Sequence, residues 1–149
     1  MNKYGKRFWV SLIASSLVMY GLSYCWHGLF LNDYSMMNVS QGIFLAAASV
    51  VYLFISLLVC RAFLLVQLDR ISKHPMVRGP LAGALAGVLM FMIVVVVGIT
   101  YSRNASVQYL ALDLVWQIIE QTIGGVVVGL VYMYVYEPLP ERMTFEDEE

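Results

Sequence analysis

Four polar residues share a helical spacing within the last apolar segment of the chain. They are Asp113, Gln117, Glu120 and Gln121, at positions i, i+4, i+7 and i+8. In an α-helix this spacing places all four on one face. Carboxylates and amides in such an arrangement can bind a proton, ligate a cation or hydrogen-bond a neighbouring helix. Which of these applies depends on the solvent around the helix.

The composition indicates that the solvent is lipid. The chain has 149 residues, of which 60% are hydrophobic and 13% are charged, and its mean hydropathy is +0.75. A soluble domain carries about 25% charged residues, and one this apolar would expose extended hydrophobic patches. The sequence also lacks the basic face that nucleic-acid binding requires, so we expect no nucleic-acid partner.

Four apolar runs are each long enough to cross a bilayer as a helix, which takes about 20 residues. We predict one membrane domain over residues 1–149, with helices at about 8–31, 43–67, 80–101 and 110–136 and a short acidic tail at 137–149. The runs do not alternate as barrel strands must, and the loops between them are short. The predicted fold class is therefore all-α, an integral membrane four-helix bundle with up-down-up-down topology.

The distribution of basic residues predicts the orientation. Eight of the nine Lys and Arg residues fall on one side of the predicted spans, and only Arg103 falls on the other. Such an excess marks the cytoplasmic side. We therefore expect a multi-pass inner-membrane protein with both termini in the cytoplasm. If the second helix continues past Arg61, it projects into the cytoplasm or tilts so that this side chain reaches the headgroups.

Glu120 lies about 15 Å below Leu110, near the middle of the bilayer. A carboxylate at that depth costs several kcal/mol unless it is neutral, paired or hydrated. The first helix has polar residues at matching depth, since Tyr20 and His27 share one face. We hypothesise that His27, Asp113, Gln117 and Glu120 line one water-accessible cavity open to the outer side. Tyr20 and Gln121 are further candidates for ligand or proton binding.

A structural interpretation competes with this hypothesis. A buried Glu120 can be protonated and act as hydrogen-bonding glue between helices. Asp113 can simply be an interfacial residue that the helix dipole stabilises near the start of its helix. A metal site is poorly supported, because no H-x-x-H or E-x-x-H spacing accompanies these residues. We predict no catalytic residue, no metal and no cofactor.

Small residues mark two predicted helices as packing surfaces. Gly79, Gly83 and Gly87 recur at four-residue spacing in the third helix, and Gly125 and Gly129 do so in the fourth. Lipid provides no hydrophobic force between helices, so close approach depends on such residues. They form either grooves within the bundle, which we favour, or a seam between two copies of the chain.

Two short motifs resemble those of an uncharacterised family of small four-span bacterial membrane proteins, catalogued as a domain of unknown function. The first, at the end of the first helix, is Tyr24-Cys25-Trp26-His27-Gly28-Leu29-Phe30, in which His27 replaces the usual tyrosine. The second runs from Leu112-Asp113 through Gly124-Gly125. The resemblance implies a membrane bundle and no particular reaction.

Three functions are consistent with these features. The first is a non-enzymatic membrane protein, either a homo-oligomer or an accessory subunit of a larger membrane complex, in contact with the lipid bilayer. The alternative is a small proton-coupled transporter that uses Glu120. A membrane-embedded metal or lipid enzyme using His27 and Asp113 ranks last.

Overall fold

The structure is a computed structural model that describes residues 5–30, 40–101 and 107–136, and all of its regular elements are helices. They are α1 (Lys6–Ser23) with a π-helical continuation (Tyr24–Phe30), α2 (Gln41–Phe63), α3 (Val66–Ile71), α4 (Pro75–Tyr101) and α5 (Val107–Tyr134). Four of them, α1 with its continuation, α2, α4 and α5, are long and apolar enough to cross a membrane. The predicted four-span helical bundle is confirmed. The predicted tail at 137–149 lies outside the described residues.

The helices differ from the sequence prediction in several details, of which three are the most informative. The first span changes from α to π geometry at Tyr24. The second ends at Phe63 rather than at residue 67, because the N–H groups of Leu64 and Leu65 turn back to the nearby carbonyls of α2. The third begins at Pro75 rather than at Pro80, since proline fits the first helical position well.

The long helices form a four-sided bundle in chain order. α1 packs between α2 and α5, α4 packs between the same two helices on the opposite side, and α2 also meets α5 across the centre. Side chains of α1, α2 and α5 can therefore converge on one point inside the bundle.

α4 and α5 approach each other backbone to backbone. A Cβ atom added to Gly79 would collide with the carbonyl oxygen of Gly125, and one added to Gly83 would collide with that of Gln121. At Gly87 an added Cβ would lie 2.9 Å from the carbonyl oxygen of Gln117. Glycine is therefore required along α4, and these glycines contact α5 of the same chain.

Hydroxyl groups join α1 to α2. The Ser56 hydroxyl donates to the carbonyl of Leu12 at 2.7 Å, and the Ser15 and Ser56 hydroxyl oxygens are 2.5 Å apart. Both serines are buried. Such bonds stabilise helix pairs in membranes because lipid offers no competing partner.

The described basic residues gather at one end of the bundle. Arg7 Nε donates to the carbonyl of Val135 at 2.7 Å, which ties the start of α1 to the end of α5. Arg78 pairs with Asp69 at 2.6 Å, and its guanidinium lies 4.1 Å from the centre of the Phe63 ring. All Lys and Arg residues within the described ranges lie at this end of the bundle, in the helix ends or in the connection between α3 and α4.

Candidate polar site in the bundle centre

Glu120 is buried at the middle of the bundle. Its side chain is 1% exposed, and it lies near the centre of the span Leu110–Tyr134. Neither carboxyl oxygen has a hydrogen-bond partner among the described residues. The polar side chains beside it are those of Tyr52 on α2 and Trp116 on α5. The acidic group thus lies in a buried, low-dielectric position, where Tyr52 and Trp116 are close enough to interact with it but form no hydrogen bond of normal geometry.

The two glutamines extend this polar region toward α4. Gln121 is completely buried, and its Nε2 donates to Oε1 of Gln117 at 3.5 Å, a long bond. The side-chain oxygen of Gln121 has no partner within the described part of the chain. The backbone of both residues packs on the glycines of α4, so their positions are fixed by the α4–α5 contact.

Aromatic rings surround the acidic group. Trp116 stacks on Trp26 with ring centroids 4.2 Å apart and planes 12° from parallel. Tyr52 packs edge-on against Tyr20, with centroids 5.9 Å apart. The indole N–H of Trp116 is buried and has no hydrogen-bond partner among the described residues, although it lies beside the Glu120 carboxyl. Four rings from α1, α2 and α5 therefore border the site.

The π-helical segment places Trp26 against α5. π-helical turns are uncommon and occur frequently at functional sites. Here the segment runs from Tyr24 to Phe30, and Trp26 also packs against Phe30. The change in helical pitch alters which side chains face the bundle, and Trp26 in this segment stacks on Trp116, which lies beside Glu120.

His27 and Asp113 lie toward the other end from the basic residues. Both side chains are partly buried. Asp113 interacts electrostatically with His27, and it is close enough to Glu120 for their charges to repel. The structure thus brings His27, Asp113 and Glu120 into one electrostatic neighbourhood.

The remaining sequence candidates also border this region. Gln117 and Gln121 lie on α5 on either side of Glu120 in sequence and form a long hydrogen bond with each other. Tyr20 packs against Tyr52, which lies beside Glu120. The outward-opening, water-accessible cavity stays a prediction. Within residues 5–30, 40–101 and 107–136, no group of three or more His, Cys, Asp or Glu side chains is placed to hold a metal ion.

Sequence reasoning did not select Tyr52, Trp116 or Trp26 as site residues. One signal was available for Trp116, which precedes Glu120 by four residues and so shares its helical face. Tyr52 and Trp26 lie on other helices. Their contribution depends on how those helices rotate about their axes, which hydropathy does not determine.

Comparison with known proteins identified no relative: no family model matches the chain, and neither does any curated protein or solved structure. The aromatic cluster that includes Trp26 does lie near the end of the first helix, where the family resemblance placed a Trp-aromatic motif.

Proposed function

We propose that this multi-pass membrane protein is a small, non-enzymatic, proton-coupled transporter in which Glu120 takes up and releases the coupling proton. The observation that carries the proposal is the Glu120 carboxyl group, which is 1% exposed at the bundle centre and forms no hydrogen bond of normal geometry with the described residues, although Tyr52 and Trp116 lie beside it. We further propose that it resides in an inner membrane with both termini in the cytoplasm. The clustering of the described basic residues at one end of the bundle supports this orientation.

The energetics of burial support a functional carboxyl. An acidic residue at the centre of a membrane helix costs about 3 kcal/mol on insertion scales. A carboxyl that serves as interhelical glue offsets this cost with hydrogen bonds to a neighbouring helix. The serines of α1 and α2 make such bonds, at 2.5 and 2.7 Å, whereas Glu120 lies beside Tyr52 and Trp116 without a hydrogen bond of normal geometry to the described residues. A group that must gain and lose a proton is suited to such a site.

Within the described part of the chain, few titratable groups lie near Glu120. α2 contributes Tyr52 and α5 contributes Asp113, which interacts in turn with His27 of α1. In α4 the titratable residues are Arg78 near its start and Tyr101 at its end. His27 and Asp113 lie between Glu120 and the end of the bundle opposite the basic residues, so they are positioned to pass a proton toward that side.

The accessory-subunit hypothesis is the alternative. Its main sequence argument was the set of glycines, which also suits a seam between chains. In the structure Gly79, Gly83 and Gly87 contact α5 within the same chain. Because these glycines are packed within one chain, they do not support a seam between two copies.

Proton counting tests the proposal. The full chain in detergent is titrated between about pH 4 and about pH 9, a range that covers carboxyl groups with ordinary and with raised pKa values. We expect Glu120→Gln to exchange one proton fewer than the parent protein. Glu148→Gln, in the C-terminal tail, calibrates the loss of a single carboxyl. An unchanged proton count in Glu120→Gln would contradict the proposal, because it would mean that the group keeps one protonation state.

The native mass of the purified protein provides an independent test. We expect the chain to purify without a fixed set of other membrane proteins. A stoichiometric complex with other chains that forms equally well with Glu120→Gln would support the accessory-subunit hypothesis and contradict the transporter.

A further inference from the structure

We infer that the Glu120 site binds a monovalent, hydrophobic organic cation, which replaces the proton on the carboxylate. The inference rests on the proposed function and names the substrate class. Three features carry it: the sign of the charge in the site, the aromatic rings around the carboxyl group, and a groove between α1 and α2 that faces the lipid.

The charge of the site favours a cation. Glu120 and Asp113 are its acidic groups, and Asp113 is coupled electrostatically to both Glu120 and His27. The described Lys and Arg residues lie at the other end of the bundle, where Arg78 is already paired with Asp69. An anionic solute would meet two carboxyl groups and one histidine, so the site discriminates against anions.

The aromatic rings favour an organic cation over an inorganic one. Trp116 and Tyr52 lie beside Glu120, and Trp26 and Tyr20 pack behind them. Faces of Trp and Tyr rings attract quaternary ammonium groups, and the attraction increases when water is excluded. A divalent metal ion needs several oxygen or nitrogen ligands, and the described residues offer no group of three acidic, His or Cys side chains.

A lateral groove gives a hydrophobic cation a route from the membrane. It has a volume of about 200 Å³ and is open on one side between α1 and α2. The atoms that face the groove are almost entirely apolar. They belong to Ile13, Ser16, Leu17, Tyr20, Ser49 and Leu53. Tyr20 therefore borders the groove on one side and contacts Tyr52 on the other. The two tyrosine rings lie between the groove and the Glu120 carboxyl.

Direct competition between cation and proton follows from this arrangement. The cation is stabilised by an ionised Glu120, so its binding displaces the carboxyl proton into solution. Tyr52 from α2 and Asp113 from α5 are the other titratable groups beside the carboxyl, with His27 of α1 next to Asp113. The affinity for the cation therefore falls as the pH decreases.

Three probes of nearly equal size separate charge from hydrophobicity. They are benzyltrimethylammonium, its neutral carbon analogue neopentylbenzene, and the anion benzenesulfonate. Binding to the full chain in detergent is measured by calorimetry, with proton release followed in weak buffer. We expect the ammonium compound to bind at least about tenfold more tightly than the neutral analogue, given the usual strength of cation–π and charge attraction. We expect its binding to release a proton.

Variants assign the binding to the site. Glu120→Gln is expected to weaken ammonium binding at least about tenfold and to abolish proton release. Trp116→Leu is expected to weaken binding by a similar factor, whereas Trp116→Phe, which keeps a ring, retains most of it. Trp9→Leu is the matched control, because Trp9 is 55% exposed at the basic end of α1. Each variant is first checked for helix content and for a single elution peak.

Two results would overturn the inference. One is equal binding of the ammonium compound and its neutral analogue. The other is ammonium binding that Glu120→Gln leaves unchanged. If Glu120 exchanges a proton in the titration described above but the ammonium compound does not bind, the substrate class is wrong and the proposed function stands. If Glu120 exchanges no proton, the proposed function itself fails.

Discussion

α5 presents two faces with different properties. The face toward α4 carries Gly125 and the backbone of Gln121, packed so closely on α4 that a single added Cβ would collide. The face toward α1 and α2 carries Trp116 and Glu120, whose buried polar atoms have no partner among the described residues. The first face is packed backbone to backbone, whereas the second carries the buried carboxyl and indole groups of Glu120 and Trp116.

This difference separates residues that hold the bundle together from residues that can perform chemistry. In a membrane, close packing and hydrogen bonds stabilise helix pairs, and buried unpaired polar groups destabilise them. Substitutions on the α4-facing side should therefore reduce stability. Substitutions of the acidic group on the opposite side should remove function and leave the fold intact.

The largest effect is expected at the α4–α5 contact. Gly83→Ala places a Cβ atom against the carbonyl oxygen of Gln121, so the helices must move apart. We expect the free energy of unfolding to fall by about 3 kcal/mol. The measurement is unfolding of the full chain in mixed micelles, followed by circular dichroism.

Gly21→Ala provides the matched control for this substitution. An added Cβ at Gly21 meets no atom within 4 Å, and alanine is the better helix former. We expect its stability to be unchanged or slightly raised. Equal losses in the two variants would show that the α4–α5 contact is not specially dependent on glycine.

The second-largest effect is an increase in the free energy of unfolding. Glu120→Met replaces an unpaired buried carboxyl with an apolar side chain of similar length. We expect the same unfolding assay to show a gain of about 2 kcal/mol, together with loss of the exchangeable proton. A loss of stability in this variant would instead favour the interpretation of Glu120 as interhelical glue.

Sequence patterns were sufficient for the number and approximate positions of the spans. Hydropathy depends only on local sequence, and the four long apolar helices agree with it. The boundary at Phe63 and the π-helical segment after Ser23 were not predicted, because they follow from turns and packing rather than from hydropathy. The same limit applies to Trp26 and Tyr52, whose approach to Glu120 requires the rotation of α1 and α2 to be known.

A smaller effect is expected where α1 meets α2. Ser56→Ala removes the bond to the carbonyl of Leu12 and the contact with Ser15. We expect a loss of about 1 kcal/mol in the unfolding assay. Ser49→Ala is the control, since the exposed Ser49 hydroxyl bonds only to Ala46 of its own helix. If both variants lose the same stability, the hydroxyls do not join the helices.

The smallest effect is expected at the basic end of the bundle. Asp69→Asn removes the charge that pairs with Arg78, but the Asp69 side chain is 55% exposed. We expect a loss of about 0.5 kcal/mol that shrinks as salt is added. Melting temperatures at low and high salt provide the measurement, and a loss independent of salt would contradict an electrostatic origin.

The central claim is that Glu120 exchanges a proton from the middle of the membrane. Infrared difference spectroscopy between acidic and alkaline pH, on the protein reconstituted in lipid, tests it most directly, because a protonated carboxyl has a distinct carbonyl band. We predict a carboxylic acid band that disappears in Glu120→Gln and shifts in heavy water. An identical difference spectrum in the parent protein and in Glu120→Gln would contradict the claim.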